Sequence, residues 1–170
     1  MKGYPIGYIM LWASPDEYEN TNYIGKNDKM YKRPDDLVID GQQRLTSLYA
    51  VMKGKKVINS KFDEKSIVIS YCPLQNKFEV GYQATKNDPE WIYNISDLFT
   101  STNTFKFIGD FIKKLGDYRS TKGSELTDEE QGLIADRINS VVNLKSHTLP
   151  VFDIKSTAEE EDVSETVSYT

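Results

Sequence analysis

Five consecutive residues, Asp40 to Arg44 (Asp-Gly-Gln-Gln-Arg), have side chains and spacing suited to binding an anion. Arg44 supplies a planar guanidinium that can hold two phosphate oxygens at once. Gly41 lets a ligand approach the backbone closely, and Gln42 and Gln43 can both donate and accept hydrogen bonds. If a helix begins here, its first N–H groups lack partners and lie at the positive end of the helix dipole, which favours phosphate.

A strand and a helix must position these residues. Residues 37–39 (Leu-Val-Ile) form a short apolar run rich in β-branched side chains, which predicts a buried strand. After Gly41, four apolar residues recur at helical spacing, and Lys53-Gly54 provides a helix end. The four apolar residues are Leu45, Leu48, Tyr49 and Met52. The sequence therefore predicts a strand, a tight glycine turn and a helix.

A purely structural interpretation of the same residues is also open. Asp40 can cap the helix by accepting an N–H from Gln42 or Gln43, and Arg44 can pair with Asp40 four residues earlier. Gly41 then only makes a turn. The segment lacks the spacing of a Walker phosphate-binding loop and of the glycine-rich dinucleotide-binding fingerprint.

The segment from Asp40 to Leu48, preceded by Leu-Val-Ile, resembles the DGQQR signature of a large bacterial family with a ParB/sulfiredoxin-like domain. It is similar to the N-terminal domain of GmrSD-type modification-dependent restriction enzymes and of related phage-defence proteins. Weaker similarity extends from residues 2–7 to the end of the chain. The resemblance implies that this loop binds a nucleoside triphosphate and supports its hydrolysis.

The resemblance also implies residue roles. Asp40, Gln42, Gln43 and Arg44 are the expected catalytic residues, and the expected phosphate-binding residues are Gly41, Gln42, Gln43, Arg44 and Thr46. Asp40 is expected to hold Mg²⁺ through water, since that ion takes few carboxylates together with phosphate oxygens. Either glutamine can orient the attacking water.

The chain departs from the family pattern in ways that predict a fragment. Family members carry an Arg/Tyr/Trp-containing helix before the first strand, then an Arg-x-Asn segment and a long helical region that often ends in an HNH nuclease. We expect a ParB/sulfiredoxin-like domain over residues 1–155 and the start of a truncated helical region over residues 156–170. The expected partner is then the missing helical or nuclease region of the same chain. With His147 as its single histidine, the fragment itself is not expected to be a nuclease.

Composition limits the possible partners and compartment. The 170-residue chain has a net charge of −5, which disfavours duplex DNA as a global partner, although Lys53, Lys55 and Lys56 form a local basic cluster. A lone Cys72 excludes an internal disulfide and fits a reducing cytoplasm. The apolar run from Pro5 to Trp12 is too short to span a membrane and has no signal-peptide cleavage pattern.

The remaining patterns predict an α+β fold, a small mixed sheet with packed helices. Strands are predicted at residues 6–12, 66–71, 78–82 and, as an edge strand, 148–154. A helix begins at Asn103, followed by a loop at 118–124 and a second helix after a capping box at Thr127–Glu130. Residues 16–35 are predicted to be mostly loop. Thr157–Glu160 is a second candidate capping box, and a metal role for the acidic run at 159–162 is disfavoured.

Three functions from different classes follow. The first is a nucleoside-triphosphate-binding and hydrolysing domain that regulates a restriction nuclease or phage-defence protein. The second is a DNA-binding or DNA-sensing module that uses the same loop for backbone phosphate. The third is a structural domain in which Arg44 only pairs with Asp40. Stacking of Trp91 on a base and a Cys72–His147 nucleophile pair are weaker alternatives.

Overall fold

A computed structural model describes residues 7–13, 35–58, 63–155 and 157–158, and these form the predicted α+β fold. The strands are β1 (Ile9–Ala13), β2 (Asp36–Asp40), β3 (Lys56–Ile58), β4 (Glu64–Ser66), β5 (Ile69–Cys72), β6 (Lys77–Val80) and β7 (Val151–Ile154). The helices are α1 (Gln42–Lys53), α2 (Gln83–Asn87), α3 (Ile95–Thr100), α4 (Thr104–Thr121) and α5 (Asp128–Val142), followed by a 3₁₀ helix at Asn143–Ser146.

The chain divides into two compact units. The first unit comprises Met1–Thr46 and Thr148–Thr170, and the second comprises Ser47–His147. In the first unit a three-stranded sheet has the order β2-β1-β7, with β1 antiparallel to β2 and parallel to β7. Ile9, Met10 and Trp12 of β1 are buried, which is expected for the central strand of a small sheet.

A β-bulge interrupts the pairing of β1 and β2 just before the predicted anion site. Met10 pairs with Asp40, whereas Leu11 pairs with Val38, so Ile39 is an extra residue on β2. Bulges of this kind bend a strand and redirect the side chains beyond them. The bulge therefore sets the direction in which Asp40 and the following turn leave the sheet.

The second unit contains the main hydrophobic core. Tyr71 of β5 and apolar residues of α3, α4 and α5 are buried together, with Leu98, Leu115, Ile134 and Ile138 at 0% exposure. The β5–β6 hairpin is antiparallel, as predicted, and turns through Pro73–Asn76 with Asn76 at a positive φ of 52°. An isolated antiparallel β-bridge between Tyr71 and Ile92 attaches the segment around Ile92 to β5.

Several element predictions are confirmed. The strand–turn–helix unit is present as β2, Gly41 and α1, and α1 ends at Lys53, immediately before Gly54, which has a φ of +61°. The Thr127–Glu130 capping box opens α5, and β7 lies at a sheet edge. Asn103 caps α4 by accepting a hydrogen bond from the Lys106 N–H.

Other predictions are wrong in part. The loop predicted at 118–124 begins too early, because α4 continues to Thr121 with Tyr118 packed against the core. Helical spacing of apolar residues also predicts that Tyr49, Phe105 and Leu133 lie on buried helix faces, but all three are exposed. Ser66 is the last residue of β4, and β5 begins at Ile69 rather than at Ser66. The sequence pattern did not predict the β3–β4 hairpin or the short helices α2 and α3.

Some predictions lie outside the described residues. These are the loop at 16–35 apart from its last residue, the acidic run at 159–162, and all but the first two residues of the second capping box. Within the described part of the chain, no helix combines the length and apolarity needed to cross a membrane.

Candidate anion-binding site at the β2–α1 turn

The candidate site is the turn between the last residue of β2 and the first turn of α1. Gly41 is buried and has a φ of +88°, a conformation that L-residues with a side chain rarely adopt. A Cβ added to Gly41 would lie 2.6 Å from Cδ1 of Ile9. The backbone must therefore be glycine here, both for its conformation and for its packing against β1. Helix α1 begins immediately, with the Leu45 N–H donating to the Gly41 carbonyl over 2.9 Å.

Arg44 is held between a carboxylate and glycine backbone. Its Nη2 donates to Oδ2 of Asp40 over 2.8 Å, and the two side chains are 38% and 36% exposed. Its Nη1 lies so close to Gly7, which has a φ of +99°, that a Cβ on Gly7 would collide with it. Gly7 therefore makes room for the guanidinium. Sequence reasoning missed this role, although a glycine inside an apolar strand pattern is a known sign of a close approach.

The other predicted residues have different environments. Gln42 donates from Nε2 to the Val38 carbonyl, so its side-chain amide covers the end of β2. Gln43 is exposed, and Thr46 is half-buried in the second turn of α1. The structure therefore brings Asp40, Arg44 and two glycines together, and leaves the Gln43 side chain facing solvent.

The ion pair matches the structural interpretation made from the sequence, but it does not occupy the helix end. The Asp40 carboxylate bonds to the guanidinium, whereas capping would have directed it to an N–H of the first turn. Both side chains are more than a third exposed, so the ion pair is not sealed from solvent. Binding of nucleotide at this turn stays a prediction.

Residues outside the turn are weaker candidates for a functional site. Cys72 is fully buried, and burial raises the pKa of its thiol, so the group is protonated and a poor nucleophile. His147 is exposed, and Trp91 is half-buried beside the buried Ile92. No three His, Cys, Asp or Glu side chains of the described residues cluster as metal ligands.

The lysine cluster after α1 is solvent-facing. Lys53 and Lys55 are exposed, and Lys56 pairs with Glu64 over 3.3 Å. An exposed pair of this kind contributes little to stability. The cluster therefore offers two lysines and a partly neutralised third to a negatively charged partner.

Fold and site together define an α+β protein with a glycine-supported arginine at a strand-to-helix turn. The model of the GmrSD restriction endonuclease N-terminal domain matches residues 1–166, and the chain belongs to this family. This confirms the resemblance seen in the DGQQR segment and associates the chain with a restriction or phage-defence system. No curated protein and no solved structure matches the chain.

Proposed function

We propose that this chain binds a nucleoside triphosphate at the β2–α1 turn, supports its hydrolysis, and so regulates a nuclease of a restriction or phage-defence system. The observation that carries the proposal is the position of the Arg44 guanidinium. It lies at the beginning of a helix, beside the backbone of Gly7 and Gly41, and is still partly open to solvent.

The chemistry of the turn supports phosphate binding. The guanidinium offers paired donors, and the first amides of α1 lie at the positive end of the helix dipole. Thr46 adds a hydroxyl one turn further along. These groups suit the β- and γ-phosphates of a nucleotide, where negative charge is greatest.

Asp40 is the residue that would hold Mg²⁺. One carboxylate is enough for this ion when phosphate oxygens and water complete its coordination, so the residues present fit it. When bound, Mg²⁺ would neutralise charge on the phosphates. Both glutamines are exposed, but Gln43 is the better candidate for orienting the attacking water, because the side chain of Gln42 bonds to the Val38 carbonyl.

Thermal denaturation of the full chain with Mg²⁺ and a series of nucleoside triphosphates tests the binding step. At ligand one hundred times above Kd, binding adds about 2.7 kcal/mol, which is a rise of several degrees in Tm. Arg44→Ala should abolish the rise, and Arg44→Lys should restore only part of it because the forked donor geometry is lost. Lys53→Ala, which removes one exposed cation from the last turn of the same helix, is the matched control.

Hydrolysis is tested separately by phosphate release. Gln43→Ala should lower the rate while keeping the nucleotide-induced rise in Tm, and Gln42→Ala should have the smaller effect. No rise in Tm at millimolar nucleotide in the wild-type chain, or an equal loss in Arg44→Ala and Lys53→Ala, would refute the proposed site.

DNA backbone phosphate is the second candidate ligand, favoured by the exposed Lys53 and Lys55. Each phosphate contact makes duplex binding fall with salt, so a Lys53→Ala/Lys55→Ala variant should show a shallower salt dependence if this function is real. Competition by free nucleotide against the duplex would place both ligands at the β2–α1 turn. Duplex binding that ignores nucleotide would favour the lysines alone.

A further inference from the structure

An aromatic pair lies at the same end of the three-stranded sheet as the β2–α1 turn. The rings of Tyr8 and Phe152 meet edge to face, with their centroids 4.9 Å apart and their planes at 79°. Phe152 of β7 is 57% exposed, and Tyr8, just before β1, is half-buried. β7 is an edge strand, where proteins commonly place charged side chains that prevent unwanted pairing. An exposed phenylalanine at this position is therefore a candidate contact for a ligand.

The backbone before β1 connects this pair to the candidate anion site. Gly7, the residue before Tyr8, lies against the guanidinium of Arg44. A Cβ added to Gly41 would lie 3.4 Å from the carbonyl oxygen of Tyr8. The turn and the aromatic pair both belong to the first unit. One short piece of backbone thus contacts the turn and carries one of the two rings.

The strand register gives the distance between the turn and the exposed ring. Met10 of β1 pairs with Asp40 of β2 on one side and with Phe152 of β7 on the other, so the three residues form a row across the sheet. Neighbouring strands are about 4.8 Å apart, which places the Cα atoms of Asp40 and Phe152 about 10 Å apart. Paired residues direct their side chains to the same face of a sheet. Asp40 and Phe152 therefore share a face, with the buried Met10 between them.

This separation suits a ligand that has phosphate at one end and a flat ring at the other. In an extended nucleoside triphosphate, the terminal phosphates and the base are a comparable distance apart. Every nucleobase has an aromatic face that can stack on a phenylalanine or tyrosine ring. An edge-to-face pair leaves at least one face of each ring uncovered by its partner. Contact with Tyr8 also restrains the Phe152 ring, which reduces the entropy lost when a base binds.

We propose that Phe152 and Tyr8 form the base-binding platform of the nucleotide site. The phosphates lie at Arg44 and the base stacks on the exposed ring of Phe152. This inference rests on the proposed function, because it requires the phosphates to bind at the β2–α1 turn. It adds that the site recognises the base as well as the phosphates. Stacking accepts every base, so the platform favours nucleotides over base-free polyphosphates without selecting one nucleotide.

Calorimetric titration of the full chain with ATP and with tripolyphosphate, both with Mg²⁺, separates the base from the phosphates. Stacking of one base on an aromatic side chain corresponds to roughly five- to hundredfold in affinity. Phe152→Ala should therefore weaken ATP binding by this factor and leave tripolyphosphate binding unchanged, which also shows that the variant is folded. Arg44→Ala should weaken the binding of both ligands.

Val151→Ala is the matched control on the same strand. Val151 is 49% exposed, and it points to the opposite face from Phe152 because successive side chains of a strand alternate. Val151→Ala should bind ATP and tripolyphosphate like the wild type. Phe152→Trp should keep the tighter binding of ATP, because an indole also offers a flat aromatic face. An equal loss of ATP binding in Val151→Ala and Phe152→Ala would overturn the assignment of the base to this face.

Fluorescence of Phe152→Trp gives a measurement that a purely structural role would not change. A base stacked on the new indole should quench its emission, so ATP should lower the fluorescence of this variant more than that of the wild type, and tripolyphosphate should not. Wild-type ATP affinity in Phe152→Ala, or equal losses of ATP and tripolyphosphate binding there, would overturn the platform and leave the phosphate site standing. A wild-type chain that binds neither ligand would overturn the proposed function and the platform together.

Discussion

Arg44 and Asp40 form a partly exposed ion pair that contributes little to stability. Their atoms are 2.8 Å apart, but both side chains are more than a third exposed, and ion pairs this accessible contribute at most about 1 kcal/mol. A phosphate offers the guanidinium two oxygens and more negative charge than one carboxylate. If the proposed function is correct, phosphate would therefore replace the Asp40 carboxylate on Arg44 at little energetic cost.

Substitution of Asp40 separates its proposed role as a Mg²⁺ ligand from its role as the ion-pair partner of Arg44. If Asp40 holds Mg²⁺, Asp40→Asn should weaken Mg²⁺-dependent nucleotide binding roughly tenfold, as loss of a metal contact does. In the presence of a chelator, binding should be unchanged or tighter, because Arg44 is released from its partner. Titration calorimetry with and without Mg²⁺ measures both affinities. An equal loss in the two conditions would contradict the metal role.

Gly41 should tolerate no side chain. Gly41→Ala forces a residue with a Cβ to a φ of +88° and against Ile9, so we expect a loss of about 2–4 kcal/mol in the free energy of unfolding. Gly132→Ala is the matched control, because this α5 glycine is exposed and a Cβ there would meet no described atom within 4 Å. Alanine at this position should stabilise the helix by about 1 kcal/mol. Urea denaturation of both variants gives the comparison.

At the level of elements, α5 is defined by a reciprocal cap at its N-terminus. The Glu130 N–H donates to Oγ1 of Thr127 over 3.2 Å, and the Thr127 N–H donates to Oε2 of Glu130 over 3.0 Å. The bond from Thr127 N–H holds the pKa of the Glu130 carboxyl below its usual value. The charged carboxylate is therefore the form that stabilises the folded helix.

This cap predicts a pH-dependent stability. Because the pKa of Glu130 is lower in the folded chain, its contribution is complete above the unfolded pKa of about 4.5 and disappears as pH falls through the folded pKa. Glu130→Gln should therefore be less stable than the wild type at pH 7, and the difference should vanish in acid. Glu129→Gln, one residue earlier and outside the capping box, should show a smaller difference at pH 7. Thermal melts between about pH 3 and 7 test this.

At the scale of the molecule, contacts between residues far apart in sequence hold the second unit together. Arg137 of α5 donates from Nη1 to the carbonyls of Pro73 and Leu74, over 2.8 and 2.6 Å, in the turn of the β5–β6 hairpin. The guanidinium thus connects α5 to a hairpin more than sixty residues earlier. Its half-buried position shields these hydrogen bonds from water.

Loss of the hydrogen bonds between Arg137 and the β5–β6 turn should lower the free energy of unfolding. Hydrogen bonds to a charged group contribute about 1.5–3 kcal/mol each, so Arg137→Ala should lower the free energy of unfolding by about 2–4 kcal/mol. Arg137→Lys should recover part of the loss, whereas Asp136→Ala, at the exposed neighbouring residue, should change stability little. A loss in Arg137→Ala no larger than in Asp136→Ala, by urea denaturation, would show that the connection is not stabilising.

The sequence alone determined the features that depend on local chemistry. The apolar run at 37–39, the glycine at 41 and the helical spacing from Leu45 define β2, its turn and α1 because neighbouring residues fix backbone preferences. The Thr127–Glu130 box and the β5–β6 hairpin are local for the same reason. The DGQQR segment likewise identified the family, which the match over residues 1–166 confirms.

Tertiary structure decided what depends on distant partners. No local pattern pairs β1 with β7, inserts a bulge at Ile39 or brings Gly7 beneath the guanidinium of Arg44, because these contacts join residues dozens of positions apart. Periodicity showed that α4 is amphipathic, but packing against α5 selected Ile108, Phe111 and Leu115 and left Phe105 in solvent. A helical pattern marks several adjacent residues as apolar, and only the neighbouring elements select which of them become buried.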